Sequence, residues 1–187
     1  MTEKEYERKR IIMYDEYLLL LERLRSLAEE MSTIHINYYY DDMNWTLFNN
    51  DETLRIRQRD DQLSLEYKFG KHEFEDIRIC NELKIPVKKV YSQILFKEKR
   101  LCLQGSMITF RTNFELNNCI ISLDKNIYLG IIDYEIEVET SNSFAEIPAW
   151  LSELFSGDNK KAIGKFHRFI EQYKKSNLDL CLENFIE

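Results

Sequence analysis

Six stretches of the chain alternate polar and apolar residues with the two-residue period of a β-strand: 3–12, 53–59, 62–69, 106–112, 118–124 and 131–140. The polar face of most of them carries charge, and the charge is sorted by sign. Glu3, Glu5, Glu7 and Lys9 share one face of the first strand, and Thr53, Arg55, Arg57 and Arg59 share one opposite Leu54 and Ile56. Ser64, Glu66 and Lys68 oppose Leu63, Leu65, Tyr67 and Phe69. Thr109 and Arg111 oppose Ile108 and Phe110, and Ser122 and Asp124 oppose Ile121 and Leu123. Asp133, Glu135, Glu137 and Glu139 oppose Ile132, Tyr134, Ile136 and Val138. A sheet with one wet face explains any single strand of this kind. It gives no reason for three arginines on one strand and four acids on another, because like charges side by side repel. A closed antiparallel barrel with the charges inside and the apolar face outside, under helices, does explain the sorting. Its interior would have an acidic pole suited to a divalent cation and a basic pole suited to a polyanion.

Gly and Pro together number only 7, so turns must come from Asn and Asp: Asn49-Asn50-Asp51, Asn117-Asn118 and Asp124-Lys125-Asn126. Residues 15–30 break the alternation, placing Tyr17, Leu20, Leu21, Leu24 and Leu27 at helical spacing. A second helix is expected from Pro86 through Val90 and Ile94, and a third from Lys160 to Tyr173. The strand after Gly70, with His72, Glu73, Glu75 and Arg78, gives no clear assignment. No linker interrupts the pattern, and 187 residues suit one domain over 1–187. The class is α+β.

No apolar run approaches the roughly 20 residues of a membrane span, and the charged start MTEKEYERKR has no apolar stretch behind it. A cytoplasmic protein is expected, with Cys80, Cys102, Cys119 and Cys181 as reduced thiols. A net charge of −7 argues against DNA binding, where phosphate neutralisation supplies most of the affinity. It leaves room for a small phosphorylated ligand. His35, His72 and His167 stand singly and carry no metal-site spacing.

Glu5-x-Glu7-x-Lys9 opens an ordered series: Asn37-Tyr38-Tyr39-Tyr40-Asp41, Leu54-Arg55-Ile56-Arg57, Leu65-Glu66-Tyr67-Lys68, Thr109-Phe110-Arg111, Leu123-Asp124-Lys125 and Tyr128-Leu129-Gly130. It ends in Asp133 to Glu139 and Gly164-Lys165-Phe166. This series resembles the CYTH domain, the triphosphate tunnel metalloenzyme family, over essentially the whole chain. The resemblance implies an eight-stranded antiparallel tunnel acting on triphosphates with Mg²⁺ or Mn²⁺. It implies that Glu5 and Glu7 bind metal together with Glu135 and Glu137, with Asp124 as a further ligand. It implies that Lys9, Arg55, Arg57, Lys68, Arg111 and Lys165 bind the substrate, with Lys165 on the C-terminal helix that closes one mouth. Glu5, Glu7 and Lys9 are the expected catalytic set. Glu66 departs from the family, where many relatives carry Thr. Arg59 and Glu139 continue the correct faces toward the rims.

Hard carboxylate oxygens at i, i+2 spacing suit Mg²⁺, and a triphosphate's negative charge suits five or six Lys and Arg side chains. The leading expectation is metal-dependent hydrolysis of inorganic triphosphate or a related organic triphosphate. The alternatives are cyclisation of ATP to cAMP, as in class IV adenylate cyclases, and a non-catalytic polyphosphate- or nucleotide-binding module. The expected partner is a small triphosphate or nucleotide, with no DNA and no membrane; a homodimer stays open.

Overall fold

The computed structural model describes residues 2–74, 77–140, 148–155 and 163–183, with side chains placed for 6–72, 77–140, 148–155 and 163–176. The elements are β1 (Thr2–Ile12), α1 (Tyr14–Arg25), β2 (Glu30–Asp41), α2 (Thr46–Asn49), β3 (Thr53–Arg59), β4 (Gln62–Phe74) and β5 (Ile77–Val87). They continue with β6 (Gln93–Phe96), β7 (Lys99–Leu116), β8 (Cys119–Tyr128), β9 (Ile131–Thr140), α3 (Ala149–Glu153) and α4 (Lys165–Glu183). The strands pair antiparallel in the order β2-β3-β4-β5-β1-β9-β8-β7, and β2 returns to pair with β7. This closes eight strands into a barrel and leaves β6 outside, attached to β7. Closure removes the free strand edges that an open sheet would expose.

The alternation resolves as the charge sorting requires. Thr53, Arg55, Glu66, Glu135 and Glu137 are buried inside, while Leu54, Ile56, Ile136 and Val138 are buried beneath outer layers. One outer layer is formed by α1 and α3, which place Leu20, Leu24, Leu151 and Phe155 on Phe114, Ile121, Leu123, Ile136 and Val138. Leu27 lies beyond the end of α1 and is exposed. The helix is therefore shorter than residues 15–30, because the chain must turn into β2 at Glu30.

No helix starts at Pro86. β5 continues through it to Val87, and the chain then turns into β6. β1 accompanies β5 only as far as Thr2 opposite Leu83, so the missing N–H of Pro86 falls beyond that ladder. Val90, Ile94 and Phe96 cover the outer apolar face around Leu54, Ile56, Tyr67 and Leu101, the work a second outer helix would have done. Asp124-Lys125-Asn126 is likewise not a turn but the middle of β8. The β7–β8 turn is Asn117-Asn118, both with positive φ (52° and 60°), which asparagine tolerates. Cys80 and Cys119 are buried and Cys102 is half-buried; Cys181 and Glu75 lie outside the described side chains. No helix among the described residues is long and apolar enough to cross a membrane.

The third helix, α4, begins at Lys165 rather than Lys160, whose surroundings lie outside the described residues. It crosses one end of the barrel and plugs it. Phe166, Phe169 and Ile170 pack on Tyr39, Met107 and Tyr128. Gly105 makes this seat possible. Its φ is +150°, it lies where the β2–β7 register shifts, and a Cβ there would sit 2.7 Å from the Phe169 ring. Gly105→Val is expected to cost about 1–3 kcal/mol through overpacking. It should also raise proteolytic cleavage within 163–183 at temperatures where the barrel stays folded. Unchanged urea denaturation and protease resistance would show that α4 does not depend on this seat.

Candidate active site

The barrel encloses a cavity of about 230 Å³. Among the described residues that line it, ten are Lys or Arg and five are Glu, inside a chain of net charge −7. β3 supplies Arg55, Arg57 and Arg59, β4 Glu66 and Lys68, and β5 Arg78, Glu82 and Lys84. Glu7 and Lys9 come from β1, Arg111 from β7, Glu137 and Glu139 from β9, and Lys165 from α4. Alternate residues of a strand point the same way, so the polar parity of the sequence delivers all of them inward.

The acidic side is built on register. Asp124 of β8 lies opposite Glu135 of β9, and Glu7 of β1 lies opposite Glu139 of β9. Carboxylates facing one another across strands repel unless cations stand among them. Lys165 Nζ does so for the first group, at 2.9 Å from Asp124, 2.9 Å from Glu135 and 2.6 Å from Glu137. Arg111 adds contacts to Asp124 at 2.6 Å and to Glu137. Lys9 lies 2.6 Å from Glu7 and 3.8 Å from Glu137. Arg168, one turn along α4, reaches Asp133 at 3.0 Å and Glu135 at 2.8 Å. Burial works against every one of these charges. The nearby cations still hold Glu137 well below the usual carboxylate range, and Asp124 and Glu7 below it. The same carboxylates raise Lys165 and Arg111 against burial.

On the basic side Arg55 donates to Glu66 at 2.8 Å from Nε and 2.7 Å from its terminal nitrogen. Glu66 is fully buried and also accepts from Ser64 at 3.0 Å. Burial opposes its charge, but Arg55 and Arg57 hold it below its usual range. Arg57 differs. Its Nε donates to Asn37 at 2.9 Å, and Glu66 is 3.5 Å away. Burial and the neighbouring Arg55 and Arg111 push its guanidinium down to about 10. An arginine forced down in this way is short of negative charge, and an anion would relieve it. Lys68 lies 3.7 Å from Glu82.

Among the described residues, two groups of carboxylates have ligand oxygens within 4.8 Å of one another: Asp124, Glu135 and Glu137, and Glu7, Glu137 and Glu139. Within the first, Glu135 Oε1 is buried with no hydrogen-bond partner among the described residues. Hard oxygen donors and an unsatisfied buried oxygen fit a divalent cation such as Mg²⁺ or Mn²⁺, which in the first group would stand where the Lys165 ammonium now does.

Glu7, Lys9, Arg55, Arg57, Lys68, Arg111, Glu137 and Lys165 line one cavity, whereas Asp124 and Glu135 are buried behind it against Lys165, whose charge is thereby committed to carboxylates. Glu5 sits in β1 opposite Cys80, but its side chain, like that of Glu73, lies outside the described ones. Arg111, expected on the basic wall, is clamped to Asp124 and Glu137 at the seam between the two sides. Glu139, left at the rim by sequence, belongs to the second carboxylate group. Sequence reasoning missed Arg168, Asn37, Glu82 and His35. Arg168 was signalled by its i+3 spacing from Lys165 on a helix; the others sit on strands that the sequence did not resolve.

The profile of the CYTH domain matches residues 3–169. Over 187 residues the chain is 27% identical to the Bacillus subtilis (strain 168) protein named "Putative triphosphatase YjbK", covering 93% of this chain and 98% of that one. Two solved structures share the fold. A "putative adenylate cyclase" from Bacillus halodurans superposes with a TM-score of 0.69 at 21% identity, covering 90% of this chain and 98% of that one. The Hippeastrum "putative adenylyl cyclase HpAC1", described by "a dominant" triphosphatase activity, gives 0.69 at 20% identity, covering 89% and 95%.

The depressed carboxyls fix how stability responds to acid. In an unfolded chain Asp and Glu take up protons near pH 4, whereas folded Asp124, Glu137, Glu7 and Glu66 resist protonation to lower pH. Their contribution is present in full above about pH 5 and is lost as the pH falls through the native values. Thermal unfolding in metal-free buffer should show a gentle decline of Tm below about pH 6.5, where His35 stays neutral in the folded chain but takes up a proton in the unfolded one, and a steeper fall below about pH 4 from the carboxylates. A decline that does not steepen below about pH 4 would show that these carboxylates are not ion-paired in the folded chain.

Proposed function

The chain belongs to the CYTH domain family, and on that premise we propose that it is a metal-dependent triphosphatase acting on inorganic triphosphate or a related organic triphosphate. The observation that carries this reading is the cavity of about 230 Å³, whose described lining holds ten Lys or Arg against five Glu, set beside a buried carboxylate group. A triphosphate brings about four negative charges, which such an excess of basic groups can take up. The 27% identity to a protein named as a triphosphatase supports the same class.

In this reading Arg57 and Lys68 hold the polyphosphate and orient it along the tunnel, and Arg111 spans the seam. Arg55 is largely matched by Glu66 and stiffens the wall. Asp124, Glu135 and Glu137, with Glu7 and Glu139, would hold Mg²⁺ or Mn²⁺, which supplies charge neutralisation at the terminal phosphoryl group and a positioned water. Water attacks the terminal phosphorus in line, the bond to the bridging oxygen breaks, and orthophosphate and pyrophosphate leave. Lys9, against Glu7 and Glu137, stabilises negative charge where the two sides meet. Closure of one end by α4 keeps bulk water from that side of the reaction.

A second reading, cyclisation of ATP, draws on one observation. A cavity of about 610 Å³ adjoins the tunnel at the β3–β4 turn, with Leu63, Pro86 and Val87 among its lining, and could take an organic group. A screen of tripolyphosphate, ATP, GTP and thiamine triphosphate with Mg²⁺ and Mn²⁺, reading phosphate release and cAMP together, separates the two. Orthophosphate from tripolyphosphate supports the triphosphatase; cAMP without phosphate release would replace it.

Two variants separate binding from turnover. Glu7→Gln keeps shape but removes an anionic ligand, so hydrolysis should fall by about a hundredfold or more while calorimetric tripolyphosphate binding persists. Parental activity in this variant, or after thorough chelation, would leave a binding module as the better account. Arg57→Ala should weaken tripolyphosphate binding by roughly ten- to a hundredfold, the worth of a charge-assisted hydrogen bond, with no loss of fold. Unchanged affinity would remove Arg57 from the phosphate wall.

A further inference from the structure

The three inward arginines of β3 are held by three different kinds of acceptor. Each faces its partner strand in register: Arg55 opposite Tyr39, Arg57 opposite Asn37 and Arg59 opposite His35. The charge of Arg55 is spent on Glu66 at 2.7 Å. Arg57 is oriented by the neutral amide of Asn37 at 2.9 Å. Arg59 Nε donates to His35 Nε2 at 3.0 Å, and among the described residues no carboxylate lies within ion-pair distance of it. A guanidinium can only donate, so His35 Nε2 is the acceptor and the ring proton sits on Nδ1. The Thr33 hydroxyl, 3.1 Å from the same nitrogen, then donates as well. His35 is 1% exposed. Burial, with Arg57, Arg111 and Arg59 nearby, pushes its pKa down to about 3, so at neutral pH it has no charge with which to repel Arg59.

Arg59 also stands where the tunnel cavity meets the larger one at the β3–β4 turn, since both are lined by Arg57, Arg59, Glu82 and Lys84. Along a strand, residues two apart, as Arg57 and Arg59 are, lie roughly 7 Å apart. An anion anchored at the carboxylate side and at Arg57 therefore needs a further phosphoryl group to reach Arg59. We propose that Arg59 is the outermost phosphate contact of the tunnel, discriminating triphosphate from pyrophosphate, and that His35 is the positioning residue that aims it with its charge unspent. The proposal rests on the reading of the tunnel as a triphosphate site. A histidine that merely filled the interior would need only volume, whereas this one needs an acceptor at the Nε2 position.

That distinction gives the test. In His35→Gln the amide oxygen can take the place of Nε2; in His35→Asn the shorter side chain cannot reach it. Both are polar, and thermal unfolding checks that both fold. Arg59→Ala and His35→Asn should each raise KM for tripolyphosphate about tenfold, the loss of one charge-assisted hydrogen bond, with kcat within a few-fold of the parent. Calorimetric binding of pyrophosphate should not change. His35→Gln should restore KM, and His35→Asn combined with Arg59→Ala should be no worse than Arg59→Ala alone. Parental KM in His35→Asn, failure of His35→Gln to differ from it, or an equal loss of pyrophosphate affinity would overturn the proposal. A parent chain that binds no tripolyphosphate would overturn the tunnel reading itself, and this assignment with it.

Discussion

Charges sealed inside a closed sheet have to neutralise one another. A carboxylate or ammonium taken from water loses several kcal/mol of hydration, which only close opposite charges and hydrogen bonds offset. In this barrel most of the compensation runs between strands, with Lys9 and Glu7 of β1 paired along one. Arg111 of β7 meets Asp124 of β8 and Glu137 of β9, and Lys9 of β1 meets Glu7 of its own strand and Glu137. Arg55 of β3 meets Glu66 of β4. Removing one member strands its partner in low dielectric, so the set constrains register as strictly as the backbone ladders do. α4 belongs to the same set. Lys165 and Arg168 enter the acidic side, while Phe166 and Phe169 fill the barrel end, so the plug is held by charge at its tip and by packing along its length.

Placing charges inside turns the usual sheet pattern around, and the apolar outer face then needs cover. Two different structures provide it. Around β7, β8 and β9 the cover is helical, with α1 and α3. Around β3, β4 and β5 it is the β6 arm and the chain leading to it. This second solution explains why β7 runs for 18 residues: its first part pairs with β6 outside the barrel and the rest with β2 and β8 within it.

What the sequence made legible follows from the same physics. A period of two with charge on one side survives any noise from neighbouring residues, so β3, β4, β8 and β9 and the inward direction of Arg55, Arg57, Glu66, Asp124, Glu135 and Glu137 could be read directly. β2 could not, because its inward residues are Thr33, His35, Asn37 and Tyr39, which carry no charge and blur the alternation. β5 was obscured by Pro86, whose helix-starting preference is real but is overridden where a strand has outrun one partner. Asp124-Lys125-Asn126 has turn composition, yet Asp124 is needed inside, and its pairing with Arg111 outweighs a local turn preference. The residues missed in the site were the neutral acceptors, since nothing in a lone Asn or His announces that an arginine lies across from it.

The overall charge of −7 is compatible with a polyanion-binding interior once distances are considered. At physiological ionic strength exposed charges are screened within about 8 Å, so acidic residues on the outer surface are felt weakly at the tunnel. Inside, where water is scarce, screening is poor and the excess of Lys and Arg over Glu along the described wall is felt more strongly than the outer acids. The surplus is also uneven. Near α4 the cations are committed to carboxylates, whereas toward the β3–β4 turn Arg57 and Arg59 are oriented by Asn37 and His35, which take no charge from them. Neutral acceptors are what allow a cation such as half-buried Arg57, or Arg59 at the exposed end of β3, to be held in place and still be available. Had all three arginines of β3 been given glutamates, the wall would be more stable and would have nothing left to offer an anion.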